Sequence, residues 1–175
     1  MSNLNNGFLS NRVLKINVGF LLHSDPGTTR EYTFDLPPVR LAQDLTLTSL
    51  QGQVRLTRNT RGVLAQGHLA VGHLTECVRC LEQFEQHLDL DIEELYVYPP
   101  TPDAEFHVAE SGNLDLAPLI RAEVIVQTPM GSICRPDCRG LCPQCGKNLN
   151  EGPCGCEEDA IDPRLAILRD LRTND

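Results

Sequence analysis

All eight cysteines of this 175-residue chain fall into four short pairs: Cys77-Val-Arg-Cys80, Cys134-Arg-Pro-Asp-Cys138, Cys142-Pro-Gln-Cys145 and Cys154-Gly-Cys156. A tight turn with two thiolates a few residues apart supplies half of a tetrahedral site for a borderline-soft ion such as zinc. Four such turns close two sites. Any fold of this chain must therefore bring the turns together in space, and zinc is the expected cofactor.

Cys142-Pro-Gln-Cys145-Gly146 has the form of a zinc knuckle, in which glycine permits the left-handed backbone that turns amides toward sulfur. Eight residues separate Cys145 from Cys154, a span that suits a compact loop, so Cys142, Cys145, Cys154 and Cys156 group as one site. Cys77, Cys80, Cys134 and Cys138 then form the other, closing a 53-residue gap. From the sequence alone other arrangements stay open: Cys134, Cys138, Cys142 and Cys145 around one ion, disulfides, or buried thiols. An iron–sulfur site would also use thiolate quartets. The spacing Cys138-x-x-x-Cys142-x-x-Cys145 matches radical S-adenosylmethionine enzymes, but these need a large barrel downstream, and 30 residues follow Cys145.

Composition fits a metal-supported fold. Hydrophobic residues make up 41% and aromatics 5%, with no Trp, so the core must be built from Leu, Val, Ile and Ala. A lean core in a modest chain is where structural metal helps. No apolar run reaches the roughly 18 residues of a membrane span, and Met1 to Ser10 lacks the basic and apolar regions of a secretory signal. A reducing, cytoplasmic setting is the expectation, and there cysteine clusters read as metal ligands before disulfides.

The first three quarters of the chain read as strands: Val13 to Leu22, Arg30 to Leu36 stopped by Pro37-Pro38, Leu45 to Leu56, and Val63 to Thr75. Gly67 and Gly72 inside the last of these suggest bulges or a closely approaching neighbour. From Phe84 to Glu93, Phe84, Leu88, Leu90 and Ile92 share one parity and Glu85, His87, Asp89, Asp91 and Glu93 the other, a half-buried strand with an acidic solvent face. Cys77 and Cys80 fall in the turn before it. Pro99 to Gly112 reads as a loop. Leu114 to Gln127 reads as a helix with a Leu116, Leu119, Ile120, Val124 stripe, Asp115 as N-cap and Pro129 as stop. Residues 131–158 hold six cysteines, five glycines and three prolines, too little apolar material for a separate core. Asp162-Pro163 opens a final helix with Leu165, Leu168 and Leu171 on one stripe. The expected class is α+β: a mostly antiparallel sheet or partial barrel with a packed helix and a cysteine-rich zinc lobe. Residues 1–128 would form the sheet domain with its helix, and 129–175 the zinc-binding lobe and C-terminal helix.

Catalytic constellations are thin. None of His23, His68, His73, His87 and His107 sits in a nucleophile motif, and no Gly-rich phosphate loop is present. His68 and His73 precede the first cysteine pair and could replace a ligand, but read first as strand surface residues. A site closed by four thiolates leaves no position for substrate, so no catalytic residue is assigned and the chain reads as a non-enzyme. Net charge is −9. Residues 76–115 carry one Arg and eleven Asp/Glu, an acidic belt from Glu82 through Glu110. That is a poor footprint for wholesale phosphate binding. Arg79, Arg135, Arg139 and Lys147 lie inside the cysteine segments instead. If metal joins these segments, the four cations converge on one patch, with Arg135 and Arg139 on one side of a helical turn. They read either as an RNA contact or as an offset to thiolate charge.

Cys77-Val-Arg-Cys80-Leu81, Leu114-Asp115-Leu116, Cys138-Arg-Gly-Leu-Cys142-Pro-Gln-Cys145-Gly-Lys-Asn-Leu-Asn150, Cys154-Gly-Cys156 and Asp162-Pro-Arg164 together resemble the YceD family. The resemblance covers about residues 40–172. It implies a role in accumulation of large-subunit ribosomal RNA, hence ribosome biogenesis, with the eight cysteines as metal-site residues. The partner would be ribosomal RNA, a pre-ribosomal particle, or a basic ribosomal protein meeting the acidic belt, and no membrane. A thiol–zinc redox sensor or chaperone is the alternative, since redox-switched chaperones also combine CxC and CxxC turns on one zinc.

Overall fold

The computed structural model describes residues 9–156. The expected helix after Asp162-Pro163 lies outside the described residues. Three long strands carry the molecule: β5 (Thr46–Asn59), β6 (Gly62–Glu76) and β7 (Gln83–Val97), an antiparallel meander. Ahead of them come β1 (Leu9–Ser10), β2 (Lys15–Asn17), β3 (Thr29–Leu36) and β4 (Val39–Arg40). Period-two patterning puts Val54 and Leu56 of β5, Val63, Ala65, Leu69 and Val71 of β6, and Leu90, Ile92 and Tyr96 of β7 on one buried face. The acidic positions Glu85, Asp89, Asp91 and Glu93 stay exposed, as the alternation requires.

β3 and β4 lie end to end along the same edge of β5, with Leu36 opposite Leu50 and Val39 opposite Leu47. Pro37 and Pro38 separate them because proline offers no ladder donor. β1 adds to β4 in parallel. Among the described residues the sheet is open, with β7 on the far side from β3 and β4, so it is not a closed barrel.

The glycines of β6 act as expected. A Cβ on Gly67 would meet the Gln53 carbonyl oxygen at 2.1 Å, so β5 approaches there as no side chain would allow. Gly72 lies opposite Ser49, where the register with β5 slips between Leu47 and Ser49.

Residues 13–22 depart from the expected strand. They form a 3-10 turn over Asn11–Leu14, the short β2, and a single helical turn α1 (Gly19–Leu22). Polar side chains bend the chain: Ser10 Oγ accepts the Arg12 amide, and Asn17 Oδ1 accepts the Gly19 amide at 3.1 Å. This local bonding outcompetes a ladder. Leu14, Val18 and Leu21 are buried all the same.

The expected helix begins later than Leu114. Asn113–Asp115 form β8, paired with β2, and α2 runs Ala117–Gln127. Asp115 still serves its end, accepting the Ala117 amide on Oδ1 at 3.0 Å. Leu116, Leu119, Ile120 and Val124 are all buried, each contributing about 1.5–3 kcal/mol of transfer free energy. α2 lies against β7. The Tyr96 hydroxyl donates to the Asp115 carbonyl at 3.1 Å. His73 is buried, not a surface residue: its parity places it on the core face, and its Nε2 lies 3.2 Å from Thr128 Oγ1 at the end of α2. His68 is exposed beside Asp91.

Candidate metal centres

The four cysteine turns meet as two tetrads. The Sγ atoms of Cys77, Cys80, Cys134 and Cys138 lie within 4.8 Å of one another, and so do those of Cys142, Cys145, Cys154 and Cys156. Of the groupings open from sequence, the structure has this one.

The first tetrad grows out of the sheet. β6 ends at Glu76, and Cys77 opens a turn in which its amide donates to the Glu82 carbonyl at 2.9 Å and its carbonyl accepts the Leu81 amide at 2.9 Å. Leu81 takes a left-handed φ of 61° to close it. The second tetrad repeats this turn. The Cys142 amide donates to Lys147 O at 2.8 Å, the Cys142 carbonyl accepts the Gly146 amide at 2.9 Å, and Gly146 has φ 73°.

Residues 131–141 carry the other half of the first tetrad and are pinned to the turn by backbone bonds. The Val78 amide donates to Ser132 O at 3.0 Å, and the Leu141 amide to Arg79 O at 3.0 Å. Phe84 and Ile133 pack against Cys77, Cys80 and Cys138, which are buried. The second tetrad is shallower, with Cys145 and Cys156 exposed.

The donor set fits one tetrahedral ion per tetrad. Cys77 and Cys138 sulfurs are 3.8 Å apart, and Cys80 and Cys134 sulfurs 3.7 Å. Zinc–thiolate bonds of about 2.3 Å in a regular tetrahedron put sulfurs roughly 3.8 Å apart, whereas a disulfide holds them at about 2.05 Å. A multi-iron cluster interposes its own atoms and spreads the thiolates further.

Electrostatics point the same way. Burial pushes the Cys77 thiol up, but the backbone amides of Cys134, Cys80 and Arg79 outweigh it and bring it down to about 6. The amides of Cys145 and Gln144 bring Cys142 down to about 6. Cys138 is lowered by the Asn150 side chain. Within the same tetrads, burial and neighbouring thiols push Cys134 up to about 12, and Cys145 and Cys154 push Cys156 up to about 12. Each tetrad thus pairs lowered thiols with raised ones, and a divalent cation held there would favour the ionised form of all four.

The four candidate RNA-contact cations are all exposed. Arg79 lies against residues 138–141, its guanidinium donating to Cys138 O at 3.0 Å. Lys147 Nζ donates to Pro153 O at 3.0 Å, and Arg135 Nε sits 3.5 Å from Asp137. The helical turn expected to align Arg135 with Arg139 is absent. Two short cysteine turns with Pro136 and Gly140 replace it, and no helix occurs between residues 128 and 156. Asn148 and Asn150 enter the sequence reading only as part of the motif from Cys138 to Asn150, with no role assigned; their side chains reach Glu82 and Cys138 of the first tetrad's segments. Their polar character in a cysteine loop was the available signal.

No helix among the described residues is long and apolar enough to cross a membrane. A family model described as "Large ribosomal RNA subunit accumulation protein YceD" matches residues 65–172. An uncharacterized protein of Mycobacterium tuberculosis is 35% identical over 124 residues, 67% of this chain and 59% of that protein. One of Mycobacterium leprae is 34% identical over 129 residues, 70% of this chain and 58% of that protein. The chain therefore spans about three fifths of these relatives. An Arabidopsis thaliana protein named "Large ribosomal RNA subunit accumulation protein YCED homolog 1, chloroplastic" is 30% identical over 83 residues, 47% of this chain and 23% of its own length. No solved structure matches.

Proposed function

From the premise that this chain belongs to the YceD family, we propose that it is a non-enzymatic, zinc-binding factor that supports accumulation of large-subunit ribosomal RNA. It works by binding ribosomal RNA or a pre-ribosomal particle. The family's description carries the biological half of this reading. The carrying structural observation is the pair of four-thiolate tetrads. Such sites have no open position, and zinc in them supplies folding free energy and rigidity rather than a reactive water. The eight cysteines would hold the two ions, with the sheet as scaffold and the residues 131–156 lobe as the element that zinc makes rigid.

The contact surface on this reading is Arg79, Arg135, Arg139 and Lys147. Tying Arg79 to residues 138–141 supports it, because it brings cations from two distant segments onto one lobe. Their carbonyl and carboxylate partners equally fit cations that offset thiolate charge. The test is made in cells. A strain lacking the protein should show a lowered ratio of large- to small-subunit ribosomal RNA. The wild-type gene should restore it, and a gene carrying Cys77→Ser and Cys142→Ser should not. A ratio unaffected by deletion removes the reading.

The exposure of Cys145 and Cys156 favours a second reading, a thiol–zinc redox sensor or chaperone. Mild peroxide would then release one zinc, form a disulfide and switch on holdase activity, while the ribosomal RNA ratio of the deletion strain stayed normal.

A further inference from the structure

Hydrogen bonds run from the loop between Cys145 and Cys154 of the second tetrad to a sulfur of the first, through side chains that belong to neither. Asn150 lies in the segment enclosed by Cys142, Cys145 and Cys154. Its Oδ1 accepts the Arg139 amide at 2.9 Å. A backbone N–H only donates, so the other end of this side chain is its nitrogen. That nitrogen points at Cys138 Sγ, 3.4 Å away in the first tetrad. Asn148 fixes the rotamer, its Oδ1 accepting Asn150 Nδ2 at 2.8 Å and the Asn150 amide at 3.0 Å. Asn148 Nδ2 in turn donates to Glu82 Oε1 at 2.9 Å, at the foot of the first cysteine turn. Between the two side chains the Leu149 amide donates to Gly140 O at 2.9 Å.

An N–H donor to a coordinating thiolate orients the ligand and stabilises its charge, and outer partners of this kind change metal affinity by about 10–100-fold. Asn150 can serve Cys138 only while the segment from Cys145 to Cys154 is closed. Leu149 is only half-buried there; backbone bonds hold the segment to residues 140–142, and the second tetrad anchors both of its ends. Resting on the reading of both tetrads as metal sites, we propose that Asn150 is a positioning residue that couples them. Filling the Cys142, Cys145, Cys154, Cys156 site raises the affinity of the Cys77, Cys80, Cys134, Cys138 site, and by linkage the reverse holds equally.

The test is zinc competition against a chelator on the full chain, with cobalt as the spectroscopic probe of four-thiolate binding. N150D is the informative variant. It keeps an oxygen for the Arg139 amide but removes the donor to Cys138. First-tetrad affinity should fall at least about tenfold in N150D, and comparably in Cys154→Ser/Cys156→Ser. The combined variant should lose no more than the cysteine pair alone, because both changes cut one path. In a Cys77→Ser/Cys80→Ser background, N150D should leave second-tetrad affinity unchanged. If N150D matches wild type, or if the losses simply add while wild type binds two ions, the coupling is overturned and the metal reading stands. A wild-type chain that takes up no ion overturns both.

Discussion

Leu81 and Gly146 occupy equivalent places in the two cysteine turns, each closing its turn in the left-handed region and donating its amide to the carbonyl of the first cysteine at 2.9 Å. Glycine takes that conformation freely, whereas a side chain there costs roughly 1–2 kcal/mol. Leu81 is 55% exposed, so little packing compensates. Leu81→Gly should therefore leave stability unchanged or raise it by up to about 1 kcal/mol, the relief of strain being partly offset by the freer unfolded chain. Leu81→Val should lower it by about 1 kcal/mol or more, since a β-branched residue is a genuine outlier at positive φ. Thermal unfolding of the metal-loaded protein ranks the three. Valine equal to leucine would contradict the turn geometry.

Metal content follows from the sulfur spacing. Two tetrads of thiolates motivate two zinc ions per chain and little iron. Elemental analysis of protein purified without added metal should return close to two. A value near one removes one of the sites, and a brown, iron-loaded protein removes zinc.

How much of this is legible in the sequence differs by element. β7 is readable because apolar and polar residues alternate from Phe84 to Glu93, and the helix stripe is readable because Leu116, Leu119, Ile120 and Val124 leave one face unsatisfied unless buried. Residues 13–22 mislead because their apolar run has no period, and Ser10 and Asn17 decide the path by bonding to nearby amides. The cysteine grouping is favoured by loop lengths, but only the folded chain separates it from Cys134, Cys138, Cys142 and Cys145 around one ion. His73 is misread as a surface residue although its parity matches Leu69 and Val71, because a polar side chain on a strand ordinarily faces water. The Asn148 and Asn150 path is hidden, since nothing local says that a loop inside one tetrad reaches a sulfur of the other.

The tetrads should differ in what their loss does. Residues 131–156 have little apolar core, so on the metal reading ion binding would supply their folding free energy, on the order of 10 kcal/mol per structural site. Cys142→Ser/Cys145→Ser should speed hydrogen exchange across residues 139–156 while amides at the centre of β5 and β6 keep their protection. Cys134→Ser/Cys138→Ser should in addition free residues 131–141 from the Cys77 turn, exposing the Val78 and Leu141 amides that now bond across it. Unchanged exchange in either variant would mean that the lobe holds together without that site.

A chain this acidic offers few places where RNA could be touched. The belt on β7 repels phosphate, so any contact has to be local, and Arg79, Arg135, Arg139 and Lys147 are the cations that the cysteine segments present to solvent. A phosphate reaching Arg79 or Lys147 competes with the Cys138 and Pro153 carbonyls they now bond. Those neutral acceptors are weaker partners than an anion. The triple change Arg135→Ala, Arg139→Ala and Lys147→Ala alters no thiolate and should leave zinc content at the wild-type value. Binding to large-subunit ribosomal RNA should weaken, and the slope of log affinity against log salt should shrink by about 0.7–0.9 for each phosphate that the protein no longer neutralises. Titrations of purified protein at several salt concentrations read both quantities. If affinity and slope survive the triple change, the cations serve the thiolate charge alone. The route to the pre-ribosomal particle then runs through a basic protein meeting Glu85, Asp89, Asp91 and Glu93.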